Sequence, residues 1–393
     1  MSLRGKAAIV GVGELKPMKT PPAGKTGWGL MAEAARMAIE DAGLNKNDID
    51  GMMVESPVTE MSLGPASLLA EYLQIPIKYG GSAMIMGASG AGQILRAASA
   101  INAGVCETVL CVIGEIMDPS RWAQMMVSIP MAGAEGQFEE PFGPPGAPSG
   151  YALAAMRHAH EYGTTDEQRA RVAVDQRTNA CANPKAIFYG RPITIEDVLN
   201  SRMITTPFHL LEIVMPVSGA AAVVVTTEER AKTLRHPPCY ILGAGECLTH
   251  SSITYSPRMT LSPVKTSAAT AFQMAGVNPR DIDLVSVYDC FTITVMITLE
   301  DAGFCPKGES GPFCWETDMT YKGKLPVNTH GGQLSFGQAV LAGGMSHITE
   351  GALQIMGRGE ERQVAKHDLA FVNGNGGILS EQCSLIFGSE ATL

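Results

Sequence analysis

A chain of 393 residues, 45% hydrophobic and 17% charged, has material for two or three packed units at about 150 residues each, which excludes a disordered chain. Its formal net charge of −10, with no basic run, excludes nucleic acid or an anionic membrane surface as the main partner. No stretch approaches the roughly 20 apolar residues of a membrane span and no cleavage signal follows Ala7 to Val12, so the expected location is the cytoplasm, without membrane insertion.

In chain order, an alanine-rich helix is predicted over Met31 to Ala42, with Gly43 as its C-cap, followed by a strand after Asp48-Ile49-Asp50. A helix over Gln93 to Ala103 then leads to a strand over Val109 to Ile113. Ser120 to Ser149 is rich in Met, Gly and Pro and reads as an irregular excursion. Tyr151 to Ala182 reads as two helices broken at residues 162–167, the second opening on a threonine cap and an acidic turn. Loops this long tend to cover a site or an interface, so residues 120–204 are expected to do one or the other. The run Ala220 to Val225 is a buried strand, and Tyr240 to Gly245 opens the next unit. A boundary near Arg235 to Pro238 gives residues 1–236 and 237–393. Nine cysteines without metal-ligand spacing read as reduced thiols, with no metal site.

The two units repeat one another. Residues 42–55 laid over 275–288 are identical at seven of fourteen positions, sharing Ala-Gly at the helix end and Asp-Ile-Asp before the strand. More weakly, Gln93 to Ala103 with Val109 to Ile113 resembles Ile348 to Met356 with Leu369 to Val372.

Five segments in this order resemble the thiolase superfamily, in the sterol-carrier-protein-x or lipid-transfer type of thiolase-like branch. They are Ala154 to Pro184, Tyr288-Asp289-Cys290-Phe291, Asp301 to Glu309, Asn328 to Gly337 with His330-Gly331-Gly332, and Gly374-Asn375-Gly376-Gly377. The resemblance implies an α/β fold, a five-layered αβαβα sandwich of two similar halves with an inserted loop domain. It also implies a homodimer, a small partner protein with an OB-fold and a zinc ribbon, and no cofactor beyond the CoA of an acyl-CoA substrate.

The match stops at the groups that make a thiolase covalent. The nucleophilic cysteine would stand just before Ala88-Ser89-Gly90, where this chain has Gly87. The activating histidine falls on Gln338, which hydrogen-bonds but does not carry protons near neutral pH. The second cysteine falls near Asn373 or Gly374, and the His or Asn of the remaining motif is Tyr288. The resemblance therefore does not extend to covalent thiolysis.

Retro-aldol cleavage of a 3-hydroxyacyl-CoA needs no cysteine, only donors for the thioester oxyanion and a group that moves a proton. Thiolase-like aldolases of steroid side-chain degradation resemble this chain at Tyr-Asp-x-Phe. By that resemblance Tyr288 inherits the acid/base role, with its pKa lowered by nearby donors. The same aldolases carry a second tyrosine where Gln338 stands. The candidate catalytic residues are Tyr288, His330, Gln338 and Cys290, and the candidate substrate contacts are Gly87, Ser89, Ser335 and the amides of Gly331, Gly332 and Gly376. Gly87 would leave room for a bulky acyl chain, whereas Ser89 also reads as a helix cap. Trp122, Met125, Met126, Met131 and Phe138 would form an adaptable apolar wall or a dimer interface. Arg157, Arg169, Arg171 and Arg177 would supply CoA phosphate contacts or a solvated helix face. His158 and His160, at i and i+2, are expected in solvent, and His347 at a helix start. Three functions fit this set: a lyase or aldolase acting on acyl-CoA, a catalytically silent acyl-CoA or lipid-binding subunit, and an acyltransferase using Cys290.

Overall fold

The computed structural model describes residues 3–117, 133–143 and 146–393; Trp122, Met125, Met126 and Met131 of the expected wall lie outside them. The strands are β1 (Ala7–Glu14), β2 (Gly51–Val54), β3 (Tyr79–Gly81), β4 (Thr108–Glu115), β5 (Met203–Thr205), β6 (Phe208–His209), β7 (Gly219–Thr227), β8 (Cys239–Leu248), β9 (Leu284–Val287), β10 (Leu369–Gly376) and β11 (Glu381–Gly388). The longer helices are α1 (Gly27–Asp41), α2 (Pro65–Leu73), α3 (Ser89–Asn102), α4 (Ala147–Tyr162), α5 (Asp166–Cys181), α6 (Val264–Ala275), α7 (Thr292–Asp301) and α8 (Ala342–Ile355). Strand order is β3-β2-β4-β7-β1-β8-β11-β10-β9. The nine-stranded sheet is continuous, and its two similar halves join where β1 and β8 pair at Ala8–Tyr240 and Ile9–Cys239.

The layering follows from strands that are apolar on both faces. Along β4, Val109, Cys111 and Ile113 enter an inner core while Leu110 and Val112 enter an outer one. In β7, Ala221, Val223 and Val225 face inward, and Ala220, Ala222 and Val224 outward. Helices α3 and α8 pack on each other and on strands of both halves, forming the middle layer. Outside, α1 covers β1 and β7, and α6 covers β8 and β11. This is the five-layered thiolase sandwich that the resemblance implied.

The repeat has a physical reason at each shared residue. Gly43 and Gly276 take left-handed backbone (φ 73° and 71°) to end α1 and α6. The backbone N–H groups of Asn45 and Asn278 donate to Asp48 and Asp281 at 2.7 and 2.8 Å. The last aspartate then clamps the neighbouring parallel strand: Asp50 accepts from the amides of Glu107 and Thr108, and Asp283 from those of Asp368 and Leu369. The structure adds a third correspondence. Gly11 and Gly13 of β1, like Gly243 and Gly245 of β8, lie so close to backbone carbonyls of α1 and α6 that a Cβ would overlap them.

The excursion helices bind the halves through buried polar groups. Threonine 165 caps α5 as expected, in a box with Gln168. His158, expected in solvent, is buried: its Nδ1 pairs with Thr164 Oγ1 at 2.7 Å and its Nε2 with the Glu300 carboxylate at 3.1 Å, while His160 is exposed. The i, i+2 spacing separated their faces correctly, but it could not reveal Glu300, 142 residues away. Among the described residues, no helix is long and apolar enough to cross a membrane.

Candidate active site

Tyr288 follows β9, its amide bonded to the carbonyl of Asn373 in β10 at 2.9 Å. Its ring turns into the place that a side chain on residue 87 would need. A Cβ on Gly87 would lie 2.5 Å from Tyr288 Cε2, closer still to Cζ, and inside the carbonyl oxygen of Asn375. The space at Gly87, expected for an acyl chain, is thus filled by an aromatic ring from the other half. The position allows no Cβ because Gly87 sits where the middle helices cross, its own carbonyl pressed against Gly344.

Gln338 Nε2 donates to the Tyr288 hydroxyl at 2.9 Å. Burial pushes this phenol well above its ordinary value; the neighbouring Cys290 and Asp289 push the same way, and the amides of Gln338 and Gln333 pull back without prevailing. The expected lowering is therefore reversed. The hydroxyl is a standing proton donor rather than a resting phenolate.

Tyr288, Gly87, Cys290 and Gln338 share the wall of a cavity of about 440 Å³ with Tyr151, Asn375 and the apolar Leu341 and Ile378. Two non-glycine residues of this wall, Met86 and Val340, hold left-handed backbone (φ 50° and 47°), an arrangement that costs energy and concentrates at functional sites. Tyr151, which sequence reasoning missed, stacks on Phe291 at 4.6 Å and donates to the carbonyl of Gly377 at 2.7 Å, while Asn375 Nδ2 donates to its hydroxyl at 2.6 Å. Cys290 lies 3.5 Å from Thr294 Oγ1, and burial pushes its thiol up to about 12. Such a cysteine is not a thiolate at neutral pH, which removes the chemical basis for acyl transfer through it. A larger groove of about 950 Å³, lined by Arg258, Phe304, Lys307 and Lys324, contains none of these residues.

Behind Tyr288 lies a polar cluster. Asp289 accepts from the amides of Gln333 and Leu334 at 2.8 and 3.1 Å, and His347 Nε2 lies 3.1 Å from it. His347 is not at a helix start but inside α8, its Nδ1 3.1 Å from Ser286 Oγ. This cluster fixes the strand end that carries Tyr288. Asp289 and Gln333 both lie in the matched motifs, yet only the fold joins them.

The other expected site residues lie elsewhere. Gly331 and Gly332 do not line this cavity: the Gly331 amide is bonded to the carbonyl of Asn328 at 2.8 Å, and a Cβ on Gly332 would overlap the Asp289 carboxylate. Their left-handed turn serves to seat Asp289. Ser335 Oγ accepts from Arg177 Nε at 2.9 Å, away from the cavity. Ser89 Oγ accepts from the Ile85 amide at 3.1 Å, tying down the turn that holds Gly87. Gly376, paired with Glu381, adjoins the cavity through Asn375 and Gly377. Arg177 stacks over Phe188 at 4.0 Å, and Arg169 and Arg171 pair with Glu212 and Asp175. Arg157 bonds Glu161 on an exposed face. Phe138 is exposed.

His330 is 1% exposed, neither ring nitrogen has a partner among the described residues, and it packs on Phe336 and His347 rather than on the cavity. Burial, reinforced by His347, lowers its pKa to about 3. The unfolded chain then binds a proton below about pH 6.5 that the folded chain refuses until about pH 3. Stability from this group is full above the unfolded pKa and falls as pH drops, by up to about 1.4 kcal/mol per unit. His330→Leu is expected to remove that slope between about pH 6.5 and 4.5 and to cost little at pH 8, since no hydrogen bond is lost. Denaturant titrations across this range check it, and an unchanged slope would contradict it.

Comparison with known proteins agrees with this geometry. Residues 245–389 match the family model for the thiolase C-terminal domain-like fold. The chain is 36% identical to a steroid side-chain-cleaving aldolase of Thermomonospora curvata over 373 residues, 90% of this chain and 91% of that protein. It is 34% identical to the 17-hydroxy-3-oxo-4-pregnene-20-carboxyl-CoA lyase of Mycobacterium tuberculosis, covering 90% and 92%. A solved structure of an Ltp2-ChsH2(DUF35) aldolase superimposes with a TM-score of 0.89 at 32% identity over 100% of both chains. With its sandwich fold and these relatives, and with Gly87 at the thiolase cysteine position and the Tyr288 ring filling the space beside it, the chain belongs to the thiolase superfamily, in the sterol-carrier-protein or lipid-transfer type of branch.

Proposed function

We propose that this chain is an aldolase that cleaves the carbon–carbon bond next to the thioester of a 3-hydroxyacyl-CoA, without an acyl-enzyme. The observation that carries this reading is the Tyr288 ring standing over Gly87, its hydroxyl held by Gln338. That arrangement replaces a nucleophile by a proton donor at the same point of the fold. Loss of the hydroxyl proton turns C3 into a carbonyl as the C2–C3 electrons move to C2. The enolate spreads its charge onto the thioester oxygen, and the Tyr288 phenol protonates C2. The products are a ketone or aldehyde and a shortened acyl-CoA. The two relatives named as an aldolase and a CoA lyase support the reaction class.

The Ltp2-ChsH2(DUF35) aldolase, named for two components, supports pairing with a small partner protein, which we take to be of the OB-fold and zinc-ribbon type. A homodimer is supported by β3, which is a sheet edge with exposed Met84 and Met86 beside it and exposed Tyr72 on the helix packed against it. The test is to co-produce the chain with such a partner and follow a panel of branched 3-hydroxyacyl-CoA esters by mass spectrometry. Cleavage to a carbonyl compound and a shortened ester is expected. Acyl-CoA binding without cleavage of any ester would contradict the reading and leave a silent binding subunit.

A further inference from the structure

Retro-aldol chemistry needs a group to receive the hydroxyl proton, and Tyr288, protonated at rest, is a poor first acceptor. We infer that Glu381, at the start of β11, is the base that takes the proton of the 3-hydroxyl group, with Ser252 of the same cavity wall as a second contact to that hydroxyl; this rests on the aldolase reading.

Both residues line the same cavity as Tyr288. Among the described residues, the Glu381 carboxylate makes no hydrogen bond or ion pair: Oε2 is buried without a partner, packed 2.7 Å from where a Cβ on Gly376 would stand. Ser252 is 3% exposed, and its Oγ is likewise buried and unpartnered. A half-buried carboxylate with one enclosed, unpartnered oxygen, and an enclosed, unpartnered hydroxyl on the same cavity wall, are costly unless a ligand supplies hydrogen bonds. A hydroxyl group can donate to the one and accept from the other.

The remaining titratable groups of the wall do not serve. Cys290 and Tyr151 are held neutral by burial. Glu139 accepts from the amide and the hydroxyl of Thr254. Glu135, crowded by the like charges of Glu139 and Glu140, has no buried carboxylate oxygen left without a partner among the described residues, unlike Glu381. The charged neighbour of Glu381 across the sheet is Glu246 of β8, itself held by Arg96 of α3. Burial, and then Glu246, raise the Glu381 carboxyl, which makes its carboxylate a stronger proton acceptor.

The proton ledger balances. The 3-hydroxyl proton passes to Glu381, the C2–C3 bond breaks with its electrons on C2, and Tyr288 protonates C2. The protonated Glu381 and the Tyr288 phenolate then reset by net transfer of one proton, directly or through water.

The test has a binding arm and a kinetic arm. In the binding arm, the dissociation constants of a 3-hydroxyacyl-CoA and its 3-deoxy counterpart are compared. The wild type is expected to favour the hydroxy ester about tenfold, the scale of one hydrogen bond to a charged group, and Glu381→Leu to bind both alike. In the kinetic arm, Glu381→Gln is expected to lower kcat at least about 100-fold with Kd retained. Glu381→Asp should recover part of the rate and keep an acid limb in the pH profile that Glu381→Gln lacks. An undiminished hydroxyl preference in Glu381→Leu, a wild-type kcat in Glu381→Gln, or a loss carried by Glu135→Gln instead would overturn the assignment. If the wild type cleaves no ester, the aldolase reading fails in the kinetic arm while the binding arm still decides whether Glu381 receives the hydroxyl.

Discussion

Restoring the thiolase cysteine by Gly87→Cys is expected to destabilise the chain and abolish carbon–carbon cleavage, with no thiolysis gained. The new Cβ would lie 2.5 Å from Tyr288 Cε2 and nearer still to the backbone oxygen of Asn375. A ring can rotate away; a carbonyl fixed in β10 cannot. Overpacking of this kind costs about 1–3 kcal/mol, and here it also displaces Tyr288 from Gln338. Adding Tyr288→Ala should relieve only the ring contact, leaving the overlap with Asn375. Denaturant unfolding of both variants checks this. Full stability in Gly87→Cys with free-CoA-dependent cleavage would contradict it.

The second large effect is catalytic. Tyr288→Phe is expected to lower kcat by about 10²–10⁴, with acyl-CoA affinity held within about threefold, since the ring that fills the Gly87 space is kept. Leaving Gln338 Nε2 unpaired costs about 1–3 kcal/mol of stability, so the folded fraction must be measured alongside turnover. The wild-type phenol stays protonated through neutral pH because burial raises it. The rate should therefore show no loss from Tyr288 ionisation up to about pH 10, the ordinary tyrosine value. Wild-type turnover in Tyr288→Phe would sink the proton-donor role.

The fold could be read because its signals are local. Helix end, turn and Asp-Ile-Asp clamp all fall within residues 42–55 and again within 275–288, and each shared residue has a job inside its own segment. Tyr288, Cys290 and Gln338 were legible through short motifs, and the structure brings them to one cavity. What remained hidden depends on pairs far apart in the chain. Tyr151 reaches Gly377 across 226 positions, and Asp289 gains the Gln333 and Leu334 amides only once the Gly331-Gly332 turn has formed. The direction of the Tyr288 shift was misjudged for the same reason. Its hydrogen-bond donors were visible in the motif, whereas the burial that outweighs them belongs to the assembled middle layer. His330 shows the converse: a motif histidine before two glycines looks catalytic, but its imidazole is enclosed with no partner among the described residues.

The most direct test of cysteine-free cleavage is to run the reaction with a cleaved 3-hydroxyacyl-CoA in deuterated water and weigh both the product ester and the intact protein. The account predicts a shortened acyl-CoA carrying one deuterium at C2, formed without added CoA, and no acyl adduct on the protein. Product that appears only with added CoA, together with an acylated chain, would contradict it.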